Sequence, residues 1–268
     1  MKVDVVVLTR NSVKPCLKEC LESLRNNVPV NRLIVVDGNS TDGTIELAKE
    51  YNKYFPVETT FDRSGRAKAR EIGIKLAKTD WFLFLDSDVI LCDNWFEKAS
   101  KHMKEGVGGI WGAVLPRAKT DSDIYRAMSK VYGKNELWIA MKAGQKRGLT
   151  HDTLIRTEAA KDIQIPIWLH VLEDHYIRQY VESKGYKWLS IPEAYCTHFP
   201  QGQERPRDYY LTGWCGKKIG FLKTKDIIKY FTTGLAKAAW IYLNSRNFHA
   251  LKTQLYVYVY TIKGWMNG

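Results

Sequence analysis

The chain lacks the cysteine pattern of a disulfide-stabilised secreted protein. Its 268 residues include an odd, scattered set of five cysteines without a Cys-x-x-Cys pair: Cys16, Cys20, Cys92, Cys196 and Cys215. This pattern predicts reduced thiols in a cytosolic compartment. Internal repeats and low-complexity segments are also missing from the sequence. The 45% hydrophobic content predicts a full core, in one large α/β domain or one domain with an appendage.

Long apolar runs are missing as well. No charge-free stretch reaches the roughly 20 residues that a helix needs to cross a bilayer. A first strand is predicted from Val3, so we expect no signal peptide ahead of it. The sequence therefore predicts a cytoplasmic protein that does not cross a membrane by itself.

Acidic residues are scarce in the last quarter of the chain. From Arg205 onward, eleven Lys and Arg residues are opposed only by Asp208 and Asp226, and the whole chain has a net charge of +12. Aromatic residues such as Trp214 and Trp240 are interleaved with these cations. The combination favours peripheral contact with an anionic membrane surface at its cytoplasmic face. A solvated basic face on ordinary helices and a nucleic-acid-binding protein are the alternatives.

Two acidic clusters each follow a short apolar run. The first begins at Asp37, after residues 33–36, and the second is Asp86-Ser87-Asp88, after residues 81–85. Such runs predict strands buried on both faces, and ligands bind at the carboxyl edge of a parallel sheet. Because gathered carboxylates need a cation, we expect a divalent metal that carries a diphosphate. These clusters argue against nucleic acid as a partner.

The apolar positions predict alternating strands and helices up to Asp93. We expect strands at 3–8, 33–36 and 81–85, and helices over 17–24, 45–51 and 67–78, with Ser40 or Thr41 as the N-cap of the second helix. This alternation is typical of a parallel sheet covered by helices.

After Asp93 the pattern changes. We expect a helical stretch over 121–141, short strands at 107–111, 154–156 and 187–191, and a helix that begins at Glu173. The polar, turn-rich segment 200–206 predicts a boundary, with domains at 1–204 and 205–268. Helical spacing from Ile227 to Tyr242 predicts an amphipathic helix in the second of these. Residues 255–260 are compatible with a helix or a strand.

Six motifs in this order resemble the family 2 glycosyltransferases, whose shared architecture is the GT-A fold. They are Val7-Leu8-Thr9-Arg10-Asn11, Val36-Asp37-Gly38-Asn39-Ser40-Thr41-Asp42-Gly43-Thr44, Gly65-Arg66-Ala67-Lys68-Ala69-Arg70, Asp86-Ser87-Asp88, Leu154-Ile155-Arg156 and Glu173-Asp174. The resemblance covers residues 3 to about 200. It implies a mostly parallel twisted sheet flanked by helices, a UDP- or GDP-linked sugar donor and inversion at the anomeric carbon. A basic, aromatic-rich helical C-terminal region is expected to follow.

The resemblance implies a set of residues that bind the nucleotide-sugar. Asp37 would recognise the nucleobase, although Asp37 could instead organise its own turn with Asn39 and Ser40. Arg70 would bind the diphosphate or the base, with Gly65 allowing close approach. The whole predicted set is Thr9, Asn11, Asp37, Asn39, Gly65, Arg70, Asp86 and Ser87.

A metal site for Mg²⁺ or Mn²⁺ is implied by the Asp-x-Asp motif. Alternation along an extended segment puts Asp86 and Asp88 on one side. By resemblance, Asp88 ligates the metal, Asp86 contacts ribose or the metal through water, and His198 is a third ligand. The alternatives are a capping turn before the helix at Asp93 and a structural role for His198.

The Glu173-Asp174 pair matches the family's catalytic pair. Inverting transfer to a hydroxyl needs a carboxylate that accepts the hydroxyl proton, and the resemblance assigns this role to Asp174. Glu173 would be structural or bind the acceptor, and Arg205 and Arg207 would close over the diphosphate. Two acids in the first turn of a helix could also simply complement its dipole.

The expected reaction is transfer of a sugar to a hydroxyl of a lipid-linked or other saccharide. The alternative within enzymes is a polyprenyl-phosphate sugar synthase. Its acceptor phosphate is already ionised and needs no strong base, so the Glu173-Asp174 pair favours a hydroxyl acceptor.

Overall fold

One eight-stranded sheet forms the centre of the protein in the computed structural model, which describes residues 1–200 and 206–268. The strands are β1 Val3–Thr9, β2 Val30–Asp37, β3 Val57–Phe61, β4 Trp81–Asp86, β5 Val89–Leu91, β6 Val107–Pro116, β7 Asp152–Arg156 and β8 Lys187–His198. Their order across the sheet is β3-β2-β1-β4-β7-β6-β8-β5. This architecture confirms the predicted α/β fold.

Helices lie on both faces of the sheet and continue beyond it. In the described residues they are α1 Lys18–Asn27, α2 Thr44–Lys49, α3 Arg66–Leu76, α4 Trp95–Ser100, α5 Lys119–Tyr132, α6 Glu136–Gly144, α7 Thr157–Ala160, α8 Glu173–Ser183, α9 Pro206–Lys218, α10 Thr224–Ser245 and α11 Phe248–Asn267. A π-helical turn, Val13–Leu17, precedes α1, and a 3-10 turn, Glu50–Lys53, follows α2.

The first four strands are parallel and bring the two acidic clusters to one edge. β1 lies between β2 and β4, and β3 extends the sheet beyond β2. In this register Thr9 pairs with Asp37, and Leu8 pairs with Asp86. The predicted meeting of these acids at the carboxyl ends of the strands is therefore confirmed.

The other half of the sheet mixes directions. β7 runs antiparallel to β4 and β6, while β6 runs parallel to β8. β5 pairs antiparallel with β8, so Val89 lies opposite His198. This pairing carries the end of β8 back to the second acidic cluster.

Alternate residues of each central strand face two separate cores. Val5 and Val7 of β1 pack with α1 and α4 on one side, whereas Val6 packs on the other side with α3 and α8. Both sets are buried. The buried faces explain why these strands are almost continuously apolar.

Two predicted features of helix ends were wrong. The helical stretch over 121–141 is broken at Gly133 (φ +60°), and α6 begins after Asn135, whose side chain accepts a hydrogen bond from the Trp138 amide at 2.8 Å. The N-cap of α2 is Gly43 (φ +90°) rather than Ser40 or Thr41. In both places the backbone adopts the left-handed conformation that glycine allows at little cost.

Three helices make up the C-terminal region, and residues 255–260 lie in the last of them. Cys215 of α9 is buried in the core beneath the sheet. α9 and α11 cross so closely that a Cβ on Gly213 would overlap the Thr261 carbonyl oxygen. The predicted boundary at residue 204 lies outside the described residues and stays a prediction.

The apolar residues of α10 form two stripes along the helix. Ile227 and Ala238 are buried, whereas Ile228, Phe231 and Leu235 are 57%, 62% and 67% exposed. The predicted helix over 227–242 is thus present, but its apolar residues lie on two faces, because consecutive residues on a helix point about 100° apart. No helix in the described ranges combines the length and apolarity needed to cross a bilayer.

Candidate active site

The turn after β2 is organised by the Asp37 carboxylate. Asp37 is fully buried, and its Oδ1 accepts hydrogen bonds from the Thr9 and Ser40 hydroxyls, each at 2.6 Å. Its Oδ2 accepts from the Ser40 amide at 2.7 Å. These bonds match the turn-organising alternative for Asp37, so base recognition by this carboxylate stays a prediction.

Three further residues predicted to bind the nucleotide-sugar lie in loops at this edge of the sheet. The Asn11 amide donates to the Ser40 hydroxyl at 2.7 Å, and the Asn11 side-chain oxygen accepts from the Thr41 amide at 2.9 Å. Asn39 is exposed beside the Arg63 guanidinium. Gly65 is the N-cap of α3 and has a φ of +113°, a conformation that favours glycine.

Arg70 joins α3 to the second acidic cluster. Its Nη2 donates to Asp86 Oδ1 at 2.8 Å, and its guanidinium lies 4.6 Å above the centre of the Phe84 ring. Burial alone would raise the pKa of Asp86, but the charge and hydrogen bond of Arg70 lower it overall. The Asp86 carboxylate is thus held by a protein cation.

Asp88 and His198 form the pair best suited to a metal. His198 Nε2 lies 3.3 Å from Asp88 Oδ2, while the Ser87 hydroxyl donates to Ser12 at 3.0 Å. A carboxylate oxygen and an imidazole nitrogen fit Mn²⁺ or Mg²⁺, which commonly take one or two protein ligands plus phosphate oxygens and water. No cluster of three or more such ligands occurs within residues 1–200 and 206–268. The structure brings Asp88 and His198 together and leaves Asp86 with Arg70.

Two acids begin α8. Glu173 and Asp174 are both buried, directly after Leu172, whose φ is +68°. Asp174 Oδ1 accepts from Arg147 Nε at 2.8 Å and from the His175 amide at 2.7 Å, and Asp174 Oδ2 lies 2.6 Å from Arg147 Nε. Asp174 is therefore held in one orientation.

Glu173 has a different environment from its neighbour. Its Oε2 has no hydrogen-bond partner among the described residues. Burial, and next the charge of Asp174, raise the pKa of Glu173. The two acids at the start of α8 therefore differ in hydrogen bonding: Arg147 binds the Asp174 carboxylate, whereas Glu173 Oε2 has no partner among the described residues.

The half-buried imidazole of His151 lies near these acids. Its ring centre is 5.9 Å from that of His198. Burial lowers the pKa of His151 to about 4, and Asp86, His198 and Asp174 are among the charged groups that act on it. Asp86, His198 and the start of α8 thus share one site.

Two residues of this site had no distinguishing signal in the sequence. Arg147 lies in a polar loop between α6 and β7, beside Lys146, so its charge looks like that of any surface loop. His151 ends the same loop, and its spacing to other histidines suggests no metal site. Only the pairing of β7 with β4 brings the loop to Asp86, whose amide donates to the His151 carbonyl at 2.8 Å.

The two basic residues predicted to close over the diphosphate flank the predicted domain boundary in sequence. Arg207 is exposed in the first turn of α9. Arg205 lies outside the described residues. Closure of either over a diphosphate stays a prediction.

The sequence is similar to several bacterial proteins over part of their length. It is 28% identical over 149 residues to poly(ribitol-phosphate) beta-glucosyltransferase of Bacillus spizizenii, which covers 49% of this chain and 23% of that protein. It is 30% identical over 107 residues to glycosyltransferase GlyG of Streptococcus pneumoniae, which covers 38% of this chain and 35% of that protein. The chain thus matches well under two thirds of these relatives.

Solved structures share the fold. A Pyrobaculum calidifontis mannosyltransferase, in complex with GDP-Man and Mn²⁺, has a TM-score of 0.67 and 15% identity over 100% of this chain and 88% of its own. Staphylococcus aureus TarS 1-349 with UDP-GlcNAc has a TM-score of 0.61 and 16% identity, over 99% of this chain and 89% of its own. The sequence profile described as "Glycosyl transferase family 2" matches residues 4–161, more than half of the chain. Together with the sheet order and the strand-end acids, this match shows that the chain belongs to glycosyl transferase family 2.

Proposed function

We propose that this protein is an inverting glycosyltransferase that moves a sugar from a UDP- or GDP-linked donor to a hydroxyl of a saccharide or lipid-linked acceptor. The observation that carries the proposal is the gathering of Asp86, His198 and Asp174 around the half-buried His151. This arrangement supports a reaction in which the base acts beside the bound diphosphate. Family membership supports the same reaction.

The residues have separate roles in this reaction. Asp174 accepts the proton of the acceptor hydroxyl, whose oxygen forms a bond to the anomeric carbon. The bond from that carbon to the diphosphate breaks on the opposite face, and the nucleoside diphosphate leaves with the electron pair. Arg70 holds Asp86 at the donor side, and Asp37 fixes the turn beneath the nucleotide.

Asp88 and His198 would hold Mg²⁺ or Mn²⁺ in the proposed enzyme. When bound, the cation offsets the negative charge of the diphosphate. The two side chains are already 3.3 Å apart, because β5 pairs with β8. A coordinating pair held by a sheet needs little rearrangement on binding.

Asp174→Asn tests the proposal. We expect the variant to bind UDP or GDP like the wild type and to lose transfer by about 100- to 10,000-fold, since an amide cannot accept the proton. The measurement is product formation by mass spectrometry with UDP- and GDP-sugars, Mn²⁺ and a panel of saccharide and lipid-linked acceptors. A lipid phosphate in the panel tests the alternative synthase.

Asp162→Asn is the matched control, because Asp162 is an exposed carboxylate that is 3.6 Å from Lys184 and far more accessible than Asp174. It should transfer at the wild-type rate. Wild-type transfer by Asp174→Asn would remove Asp174 as the base. A wild-type protein that transfers no sugar from any donor would overturn the proposed function.

We also propose that an anionic membrane surface is a partner, through α10. Its exposed apolar residues Ile228, Phe231 and Leu235 are flanked by Lys225 and Lys229. Apolar side chains of this kind enter the headgroup region, and each nearby cation adds on the order of 1 kcal/mol with anionic lipid. Such docking would hold the site beside a lipid-linked acceptor.

The double variant Phe231→Ser, Leu235→Ser tests membrane docking. Co-sedimentation with vesicles that contain phosphatidylserine should fall at least about tenfold, while the melting temperature stays the same, because both side chains are exposed. Val259→Ser, at an exposed apolar position of α11, is the control and should bind vesicles normally. If the wild type ignores these vesicles at low salt, the proposal of a membrane partner fails.

A further inference from the structure

The Arg147 guanidinium contacts the proposed base with one edge only. Its Nε lies 2.6 Å from Asp174 Oδ2 and 2.8 Å from Asp174 Oδ1. Arginine has four further N–H donors, on Nη1 and Nη2. Within residues 1–200 and 206–268, no hydrogen bond engages either of these two nitrogens.

The loop that carries Arg147 is fixed against α8. The Arg147 carbonyl lies 3.3 Å from His175 Nδ1, and Arg178 donates to the Gln145 carbonyl. Gly148 (φ +72°) packs directly on the Arg178 side chain. Contacts with α8 fix the backbone of the loop at Arg147, and Asp174 fixes the guanidinium. Arg147 therefore differs from an arginine on a loop without such contacts.

The Arg147 side chain is partly accessible to solvent. Its side chain is 32% exposed, whereas that of Asp174 is 6% exposed. Arg147 thus contacts the buried base and is itself reachable from solvent. A planar guanidinium with free terminal nitrogens can bind two oxygens of one phosphate or carboxylate group at the same time.

The contact with Asp174 puts Arg147 on the acceptor side. In an inverting transfer the base and the leaving diphosphate lie on opposite faces of the anomeric carbon. A side chain in direct contact with the base is therefore next to the incoming hydroxyl. Arg70 and the Asp88–His198 pair are the groups assigned to the donor side.

We infer that Arg147 binds an anionic group, a phosphate or a carboxylate, that the acceptor carries close to its reacting hydroxyl. This inference rests on the proposed function and narrows the acceptor to a charged saccharide or polyol. Arg147 then has two roles at once, since Nε orients the base while the terminal nitrogens bind the acceptor. The anionic group is separate from the hydroxyl that attacks the anomeric carbon.

Matched acceptor pairs test the inference. Ribitol 5-phosphate is compared with ribitol, and glucuronic acid with glucose, which separates a phosphate from a carboxylate. We expect the wild type to prefer one charged member by about 10- to 100-fold in kcat/KM, the usual effect of a hydrogen bond to a charged group. In Arg147→Gln this ratio should fall to near one, and Arg147→Lys should retain part of it.

A binding titration supports the kinetics if Arg147→Gln turns over too slowly to measure. The affinity of each acceptor is measured in the presence of UDP or GDP and Mn²⁺, and only the charged member should bind Arg147→Gln more weakly. Lys142→Gln is the control, because it removes an exposed cation of α6 without any contact to Asp174. It should keep the charged-acceptor preference.

Three results would overturn the inference. The wild type could treat both members of each pair alike, Arg147→Gln could keep the preference, or Arg147→Gln could lose affinity for UDP and GDP instead, which would put Arg147 on the donor side. If the wild type transfers sugar without any charge preference, the inference fails and the proposed function stands. If it transfers to no acceptor at all, the proposed function itself fails.

Discussion

Glu71 shows how single residues next to the site stabilise the fold. It follows Arg70 in α3, and its Oε1 accepts from Lys75 at 2.6 Å and from Lys68 at 2.9 Å, while its Oε2 accepts from the Ile165 amide at 2.9 Å. Burial would raise its pKa, but these hydrogen bonds outweigh burial and lower the pKa of Glu71 from 4.5 to about 2. The ionised form therefore stabilises the folded state.

Glu71→Gln should lower the free energy of unfolding by about 2 kcal/mol at pH 7. Because the folded pKa is depressed, this contribution is complete above pH 4.5 and is lost as the pH falls towards 2. Urea titrations of both proteins between pH 7 and pH 2 should thus show a gap that closes at low pH. A gap independent of pH would mean that packing, not charge, is responsible.

Glu97→Gln is the control for this measurement. Glu97 also has a lysine four residues later, Lys101 at 3.6 Å, but its side chain is 71% exposed. Exposed pairs of this type contribute little. The stability of the control should match that of the wild type throughout the pH range.

At the residue scale, the sequence identified side chains that follow a strand and missed those brought in by a loop. Asp86, Asp88 and Glu173 stand next to recognisable strand or helix boundaries. Arg147 lies within a loop, and His151 reaches Asp86 only because β7 pairs with β4, a long-range contact that the local sequence does not show. Hydrogen bonds also decide which role a carboxylate can take, as for Asp86 with Arg70.

Among the elements, the crossing of α9 and α11 depends on two glycines. A Cβ on Gly213 would overlap the Thr261 carbonyl, and a Cβ on Gly264 would overlap the Tyr210 carbonyl. Backbones in such contact have no room for a methyl group. Gly213 belongs to the helix that also places Cys215 in the core, so the crossing links the C-terminal region to the sheet.

Gly213→Ala should therefore destabilise the protein by about 1–3 kcal/mol through overpacking, although alanine favours a helix in isolation. Thermal unfolding followed by circular dichroism measures the change. Thr233→Ala, at an exposed position of α10, is the matched control and should be neutral or slightly stabilising. A stable Gly213→Ala variant would show that α9 and α11 can separate without cost.

Helix and strand positions were predicted better than their ends. The sequence placed strands at 107–111 and 187–191, but β6 continues to Pro116 and β8 to His198. These extensions pair with each other, Ala113 with Tyr195 and Pro116 with His198, so tertiary pairing and not propensity lengthens them. The sequence did not separate the two apolar stripes of α10, because the identity of an apolar residue does not indicate whether its side of the helix is buried or exposed.

For the whole molecule, the net charge of +12 coexists with a cluster of acids at one sheet edge. If this cluster binds a metal and a nucleoside diphosphate together, both ligands should stabilise the folded state. Mn²⁺ with the correct nucleotide, UDP or GDP, at about 100 times its Kd should raise Tm by on the order of 5 °C. Differential scanning fluorimetry measures the shift.

In Asp88→Ala, the Mn²⁺-dependent part of this shift should disappear while the fold survives. Asp93→Asn, an exposed acid shortly after the motif, is the control and should retain the full shift. An equal shift for Asp88→Ala and the wild type would contradict the assignment of Asp88 as a metal ligand. Whichever nucleotide gives the larger shift identifies the base of the donor.

The pairing of β5 with β8 has a consequence for synthesis on the ribosome. β1 to β4 are consecutive and lie together, so this half of the sheet can assemble as soon as its residues have emerged. Asp88 meets His198 only when β8, more than a hundred residues later, has entered between β6 and β5. A nascent chain can therefore form the hydrogen-bonded turn at Asp37 early, but the Asp88–His198 pair is completed only after almost three quarters of the protein has been made.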